Sequence, residues 1–429
     1  MKKIFFFTLL IAMHFIGLSG AEAIDRYVRA GATGAKDGTD WTNAYSSLPA
    51  TLVRGDTYFV ASGSYGSYTF DDPTNGTTLI TIKKATVADH GSAIGWSDSY
   101  ASGQAVWTGW NLNSSYVTID GQTGGGPGSW DTGLGFAVRA FSDHLIYGNN
   151  TTNVTVLHTE LDGTDNSPGD RDALYFISGA TNLTFRYMYM HNIGCDFAQF
   201  RGNITAFTWE YSKSTLNNQA SACHGDVFEY DSGTALNWVI RYSWFDNCQG
   251  TYLLGTHESG KLSGAWFYGN IVSGGFYTNG IVSALSGGGI ISDLKFFNNT
   301  IVNASVYNAG FLYLERGSNN QIYNNLYYAN TSMPVNMQGI HDYNWFYNAG
   351  AQSETHIQNG SGNPFINLAS KDFRLLASTT SGISLASPFN IDLTGKTRGG
   401  DGIWDRGAYD FGTGGTATVP PSPTNLTVQ

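Results

Sequence analysis

Three aspartates open short apolar blocks in the middle of the chain: DALYF from Asp172, DFAQF from Asp196 and DVFEY from Asp226. In a solenoid of stacked strands, equivalent positions of successive turns form a column. Stacked carboxylates repel one another, and their pKa values rise unless a cation lies among them. Several carboxylate oxygens are the ligands that Ca²⁺ prefers. The spacing therefore predicts a calcium site. The alternative is that each aspartate only accepts hydrogen bonds from its own turn and caps a strand entrance.

Other polar residues that share this face are candidates for catalysis and substrate binding. Some stand next to an aspartate in the sequence, and others occupy the outward fourth position of a block. The rest lie two residues after that fourth position or in the loop of the next turn. The predicted catalytic residues are His224, Arg201 and Glu229. The predicted substrate-binding residues are Arg171, Gln199, Tyr175, Asp231 and His257.

The aspartate blocks belong to a longer repeat. Six blocks, whose starts lie 24 to 30 residues apart, begin at Asp172, Asp196, Asp226, Thr251, Gly280 and Gly310. Their third and fifth residues are apolar or small and face inward, whereas the fourth position forms a mostly surface column. A second short strand follows each block across a Gly, Ser or Asn turn, with no helical segment between them. This pattern predicts an all-β protein, a single-stranded right-handed parallel β-helix.

Asparagines recur at another position of the repeat. Asn270, Asn299 and Asn325 fall at matching places in successive turns. A side-chain amide both donates and accepts hydrogen bonds, so stacked amides can bond to one another. The spacing predicts an internal asparagine ladder.

The two ends of the chain carry features of their own. Residues 1–23 combine a charged start, an apolar run and a small-x-small site, which predicts a secretory signal peptide. Residues 24–412 are the predicted β-helix domain. Residues 413–429 form a predicted Thr/Pro/Gly-rich linker or the start of a further module, which would be a covalent neighbour.

A short capping helix is predicted ahead of the first turns. Helical spacing relates Trp41, Ala44, Tyr45 and Leu48, with Thr39 or Asp40 as the N-cap. A solenoid needs such a cover because its open end exposes apolar side chains and strand edges.

Charge and export limit the partners. The formal charge is −11, and such an acidic chain is not expected to bind nucleic acid. No stretch beyond the signal is long enough to span a bilayer. The mature protein is expected to be a soluble monomer that is secreted to the extracellular space, the cell surface or the periplasm.

The cysteines suggest a cross-link between turns. Cys223 and Cys248 each stand three residues before a block. Adjacent turns lie about 4.8 Å apart, within the Cα range of a disulfide. The two residues are predicted to be close, either bonded after export or stacked as free thiols in a buried column.

The first turns contain GDTYFVASGSYG (55–66), LITIKKA (79–85) and YVTIDG (116–121), and the closing segment contains NPFINLASKDFRLLASTTSGI (363–383) and DGIWDRGAYDFG (401–412). These segments resemble secreted right-handed parallel β-helix proteins of the pectate lyase-like superfamily. The resemblance covers residues 26–411 and implies the fold and an extracellular polysaccharide as partner. The superfamily includes lyases, hydrolases, epimerases, phage depolymerases and noncatalytic proteins, so the resemblance does not imply one reaction.

Three functions fit the predicted face. In a lyase, the aspartates would hold Ca²⁺, Arg201 would bind a uronate carboxylate, and His224 would remove the C5 proton in a β-elimination. In a hydrolase, two of the carboxylic acids would act as acid and base, taken from Asp172, Asp196, Asp226 and Glu229. In a noncatalytic protein, the solenoid would bind carbohydrate at the cell surface.

The sequence favours the lyase. It departs from the lyases of the superfamily at one point and from the hydrolases at another. Lyases of this superfamily commonly use Lys or Arg as the base, and the nearest lysine, Lys213, lies outside the predicted column. None of the motifs of the polygalacturonase-type hydrolases is intact.

Overall fold

The computed structural model describes residues 23–139, 144–163, 172–217, 225–284, 288–307, 311–330, 338–350 and 353–412. These residues coil into a parallel β-helix, which confirms the predicted fold class. One large sheet covers two sides of the coil, a second sheet covers the third side, and a short antiparallel pair follows near the end. The predicted signal peptide, the linker, Arg171 and His224 lie outside the described residues.

The large sheet bends along its length, and we call its two halves the front face and the flank face. The front-face strands are Tyr68–Phe70, Trp110–Leu112, the first part of Ile146–Leu157, the first part of Leu174–Arg186, Ala198–Arg201, Phe228–Ser232, Gln249–Thr256, Phe276–Ser283, Ser305–Val306 and Leu312–Tyr313. The flank-face strands are Asp25–Val28, Thr57–Val60, Ile80–Lys84, Val117–Asp120, the later parts of the two long strands, Ile204–Glu210, Val239–Arg241, Trp266–Tyr268, Lys295–Phe297, Gln321–Tyr323 and Ile340–Asp342. At the bend lie Thr234–Leu236, Lys261–Ser263 and Ile290–Ser292.

The second sheet closes the coil. It comprises Gly63–Ser64, Ala105–Trp107, Phe136–Arg139, Thr159–Asp162, Tyr189–His191, Lys213–Thr215, Trp244–Asp246, Ile271–Ser273, Thr300–Val302, Leu326–Tyr328, Trp345–Tyr347 and Gln358–Gly360. The antiparallel pair is Phe365–Asn367 with Asp372–Leu375.

Alternating side chains from all three faces fill one continuous core. Phe200 of the front face, for example, packs edge to face on Trp238, with ring centroids 4.8 Å apart. Phe207 of the flank face lies 4.9 Å from Phe200 in the same way. Such contacts combine the burial of large apolar surfaces with favourable ring geometry, and they hold successive turns in register.

The predicted asparagine ladder is confirmed and extends one turn further. The amide of Asn270 donates to Asn299 Oδ1 at 3.2 Å, Asn299 donates to Asn325 at 3.0 Å, and Asn325 donates to Asn344 at 3.0 Å. All four side chains are buried. The ladder lies at the turn between the flank face and the second sheet.

The predicted capping helix is wrong. Among the described residues the structure contains no α-helix, and a single 3₁₀ turn spans Asp98–Ala101. Tyr45 cannot join a helix because its backbone is extended and bridges Val28 in parallel fashion. Asp40 instead accepts a hydrogen bond from the backbone N–H of Asn43 in a turn. Trp41 is nevertheless buried, in a small cluster with Tyr27 and Phe59 that is separate from the main core.

The predicted alignment of one block is wrong by one residue. Phe228 pairs with Leu254, and Leu254 pairs with Val282, so Leu253 is not the equivalent position. The block therefore begins at Tyr252, whose partner in the next turn is Gly280. A separate β-bulge lies between Gly250 and Tyr252, where one residue of this strand faces two residues of Phe276–Ser283. In the described part of the chain, no helix is long and apolar enough to cross a membrane.

Candidate functional site

The three aspartates stack at the strand entrances of the front face. The pairing of Leu174 with Ala198, and of Ala198 with Phe228, aligns the residues two places earlier, which are Asp172, Asp196 and Asp226. All three are buried. The predicted column therefore exists.

Each aspartate also caps the neighbouring turn. Asp172 Oδ1 accepts the backbone N–H of Asp196 at 3.2 Å, and Asp196 Oδ1 accepts that of Asp226 at 2.5 Å. Asp226 Oδ1 accepts the N–H groups of Thr251 and Tyr252, both at 2.8 Å. The column therefore has a structural role between turns, whatever else it binds.

Glu229 joins this column from the outward position of its strand. It was expected at the surface but is only 1% exposed, because neighbouring side chains cover it. Gln199 Nε2 donates to its Oε2 at 2.5 Å, and the Tyr252 hydroxyl lies 3.4 Å from its Oε1. Glu229 also shares a hydrogen bond with Asp196. Ser283 of the same outward column is likewise buried, so the prediction of a mostly surface column is wrong at these two positions.

The carboxylates are close enough to perturb one another. Ligand atoms of Asp196, Asp226 and Glu229 all lie within 4.8 Å of one another. Burial, followed by repulsion from Asp172, Asp226 and Glu229, raises the pKa of Asp196 well above its ordinary value. The cluster consists of carboxylate oxygens, the donors that a hard divalent cation takes, and their spacing allows one ion to be shared. We call Asp172, Asp196, Asp226 and Glu229 the acidic cluster.

A more accessible rim borders the acidic cluster. Arg201 has a side chain that is 46% exposed, and its Nε lies 2.6 Å from Asp231 Oδ2. His257 is 36% exposed, and its Nδ1 lies 3.6 Å from Asp231 Oδ1 and 4.0 Å from a Glu229 oxygen. The guanidinium of Arg201 also lies 5.8 Å from the centre of the Tyr175 ring. The structure thus brings together the predicted residues Arg201, Asp231, His257 and Tyr175.

His144 is a member of the site that the sequence analysis missed. Ile146 pairs with Leu174, so His144 occupies the position equivalent to Asp172 in the preceding turn. Its Nδ1 lies 3.6 Å from Asp172 Oδ2, and its ring stacks on Tyr175 with centroids 4.3 Å apart. The segment HLIYG has the spacing of the repeat, but it begins with histidine rather than aspartate, so residue type alone does not identify it as a block.

A disulfide between Cys223 and Cys248, one of the two predicted arrangements, is wrong. Cys248 is a free thiol that is buried in the core, where its sulphur donates to the carbonyl of Ser214. Cys195 is disulfide-bonded. Cys223 lies outside the described residues.

Lys213 belongs to the second sheet and pairs with Asp131, away from the front face as expected.

A scan of protein-family models finds no match, and a search of curated protein sequences finds none either. Among solved structures, the chain is similar to the pectate lyase Pel9A, with a TM-score of 0.55 and 15% identity over 90% of this chain and 97% of that one. A rhamnogalacturonan lyase aligns with a TM-score of 0.37 and 11% identity over 81% of this chain and 92% of that one. Identities this low show the fold alone. The chain has the pectate lyase-like parallel β-helix fold.

Proposed function

We propose that the protein is an exported polysaccharide lyase that cleaves a uronate-containing chain by β-elimination on its front face. The observation that carries this proposal is the acidic cluster, in which Asp196 is surrounded by three other carboxylates. Burying so many like charges is unfavourable unless a proton or a cation compensates them. The similarity in fold to a protein described as a pectate lyase adds support.

Asp196, Asp226 and Glu229 would hold Ca²⁺, because their ligand atoms lie within 4.8 Å of one another. Asp172, which the sequence also predicted as a ligand, neighbours Asp196 and would border this site. A bound calcium ion would neutralise a sugar carboxylate and so acidify the C5 proton. Asp172, the least buried of the four, is the member closest to solvent and thus to a substrate. Gln199 would position Glu229 through their hydrogen bond.

The rim would bind and deprotonate the sugar. The exposed guanidinium of Arg201 would bind a uronate carboxylate, and Asp231 would orient it through the 2.6 Å ion pair. A neutral imidazole would take the C5 proton. The electron pair would form the C4=C5 double bond, and the C4–O bond would break, with the leaving oxygen taking a proton. Two histidines are candidates for the base, His224 as the sequence predicts and His257 on the described rim.

The geometry of one carboxylate pair, Asp196 and Glu229, does not suit a hydrolase. Glycoside hydrolases hold their two acids about 5–5.5 Å or 6.5–9.5 Å apart, with the scissile bond between them. Asp196 and Glu229 share a hydrogen bond instead, and each is only 1% exposed. No glycosidic oxygen can lie between these two groups, so they would not act together as the acid and base of a hydrolase.

The test is ultraviolet absorbance of new unsaturated sugar ends, measured with purified mature protein on polygalacturonate, rhamnogalacturonan and alginate, with calcium or a chelator. We expect the absorbance to rise on one of these substrates, and this rise should require calcium. The rate should fall about a hundred-fold or more in Asp196→Asn. Activity should be lost when the catalytic histidine, His224 or His257, is changed to alanine. Asp293→Asn is the matched control, because Asp293 is exposed and bonds only to surface side chains. Saturated reducing ends would indicate the hydrolase, and binding without either product would indicate a noncatalytic solenoid.

A further inference from the structure

A second polar cavity lies at the corner between the flank face and the second sheet, away from the front face. Its volume is about 510 Å³. Lys84 lines it from the end of the strand Ile80–Lys84, Glu160 from the strand Thr159–Asp162, and Gln104 from the segment just before Ala105–Trp107. Asp131 contributes from the loop between the strands Val117–Asp120 and Phe136–Arg139. The cavity is large enough for a small ligand.

Lys84 is the unusual residue of this cavity. It follows Ile80 and Ile82 in the inward-facing column of its strand and is only 2% exposed. Its Nζ donates to the carbonyls of Ala85 at 2.8 Å and Tyr100 at 3.3 Å. No carboxylate among the described residues lies within ion-pair distance of it. A buried ammonium that lacks a counter-ion is unfavourable, and burial lowers the pKa of Lys84 to about 8.

The other charges around the cavity are already paired. Glu160 bonds to Arg139 at 2.6 Å and to His191 at 2.9 Å, and Asp131 bonds to Lys213 at 2.6 Å. Burial opposes ionisation of Glu160, but hydrogen bonds from His191, Gln104 and Arg139 outweigh it and lower its pKa to about 2. The ammonium of Lys84 is therefore the one uncompensated charge that lines the cavity in the described structure.

We propose that this cavity binds a sugar acid, with the carboxylate on Lys84 and the ring hydroxyls on Glu160 and Gln104. A single positive charge selects an anion. Fixed carboxylate and amide oxygens select hydroxyl donors. This inference rests on the cavity alone and is independent of the lyase activity proposed for the front face.

Isothermal titration calorimetry tests the proposal with three probes, D-galacturonate, D-galactose and acetate. The wild-type protein should bind galacturonate, with galactose and acetate at least about ten-fold weaker. Lys84→Met should abolish the binding of galacturonate. Lys83→Met is the matched control, because Lys83 is the next residue, points outward and pairs with Asp89, and it should bind as the wild type does.

Several outcomes would overturn the proposal. Equal binding of galactose would remove the role of the charge, and equal binding of acetate would indicate a general anion site. Unchanged binding by Lys84→Met would exclude the ammonium. The same titrations in an Asp196→Asn background separate this cavity from the front face, and they should give the same affinity. Tetragalacturonate distinguishes a free sugar acid from the end of a polysaccharide as the natural ligand. If the natural ligand is a polysaccharide, the end of the tetramer should bind as tightly as free galacturonate.

If Lys84→Met does not fold, the wild-type protein alone still tests the proposal. Galacturonate should bind more weakly as the pH rises through about 8, because the ammonium of Lys84 then loses its proton. The other titratable groups that face or support the cavity are Glu160, Asp131, Arg139, His191 and Lys213. Affinity that does not fall across this range would overturn the proposal.

Discussion

Two columns of polar side chains run along this solenoid and perform the same backbone task with different chemistry. In the asparagine ladder, Asn299 Oδ1 accepts the backbone N–H of Asn270 at 3.0 Å. In the aspartate column, Asp196 Oδ1 accepts the backbone N–H of Asp226 at 2.5 Å. An amide would serve as the acceptor in both places without any charge. Buried carboxylates repel one another, whereas amides do not. The hydrogen bonds of the front face therefore do not require negative charge, and this contrast is the reason to expect a cation there.

The largest effect on stability is expected in the neutral column. Asn299→Ala removes the acceptor of the Asn270 N–H and the donor to the Phe267 carbonyl, both of which are buried. Each orphaned group costs about 1–3 kcal/mol, so the free energy of unfolding should fall by about 2–6 kcal/mol. Urea unfolding should give the same loss with calcium and with a chelator.

The exposed Asn319 supplies a control for this variant. Its amide donates to Asp293 Oδ1 at the surface, and Asn319→Ala should change the free energy of unfolding by less than about 0.5 kcal/mol. A small loss in Asn299→Ala, or a loss that depends on calcium, would remove the distinction between the two columns.

The charged column should instead respond to pH. The pKa of Asp196 is raised in the folded protein by burial and by the neighbouring carboxylates. Its protonation therefore stabilises the fold fully below the ordinary value of 3.8, and that stability is lost as the pH rises through the raised pKa. In a chelator, thermal unfolding should show stability that declines across this range. Calcium should restore it, and Asp196→Asn should flatten the decline and remove the response to calcium.

Glu160 provides the opposite sign within the same chain. Its pKa is lowered to about 2, so its contribution is present above the ordinary value of 4.5 and is lost as the pH falls toward 2. Glu160→Gln should therefore weaken the fold near neutral pH and leave the response to calcium intact.

One outcome would contradict the prediction for the charged column. If calcium stabilises Asp196→Asn as much as the wild type, the aspartates of the acidic cluster only cap the neighbouring turns and do not bind calcium.

The sequence predicted most of the fold because a period of 24 to 30 residues is a property of the chain itself. The asparagine ladder followed from the same period, since a column needs only equal spacing. The capping helix failed because Tyr45 bonds to Val28, a tertiary contact that overrides helical spacing. The alignment at Thr251 failed because Leu253 and Leu254 are both apolar, so residue type could not decide which of them pairs with Phe228.

The candidate site was predicted in part for the same reasons. The register placed Asp172, Asp196 and Asp226 together, as the spacing implied. His144 could not be predicted from residue type, because its block begins with histidine; only its position in the repeat identifies it. Lys84 carried a signal, a lysine in the inward position of an alternating strand, but its significance depends on which carboxylates lie near it, and spacing alone does not give that.

The smallest effect on stability, and the sharpest on function, is expected at the rim. Arg201 pairs with Asp231 in a setting where half of its side chain is exposed, and exposed ion pairs contribute about 0–1 kcal/mol. Arg374 forms a similar exposed pair with Asp372 on the antiparallel hairpin. Arg201→Ala and Arg374→Ala should therefore each lower the free energy of unfolding by less than about 1 kcal/mol. If Arg201 binds the uronate carboxylate, only Arg201→Ala should raise KM, by about ten-fold or more, and Arg201→Lys should restore part of the loss because it keeps the charge without the planar fork. Equal KM values in the two alanine variants would show that Arg201 is a surface ion pair and would move substrate recognition to other residues of the front face.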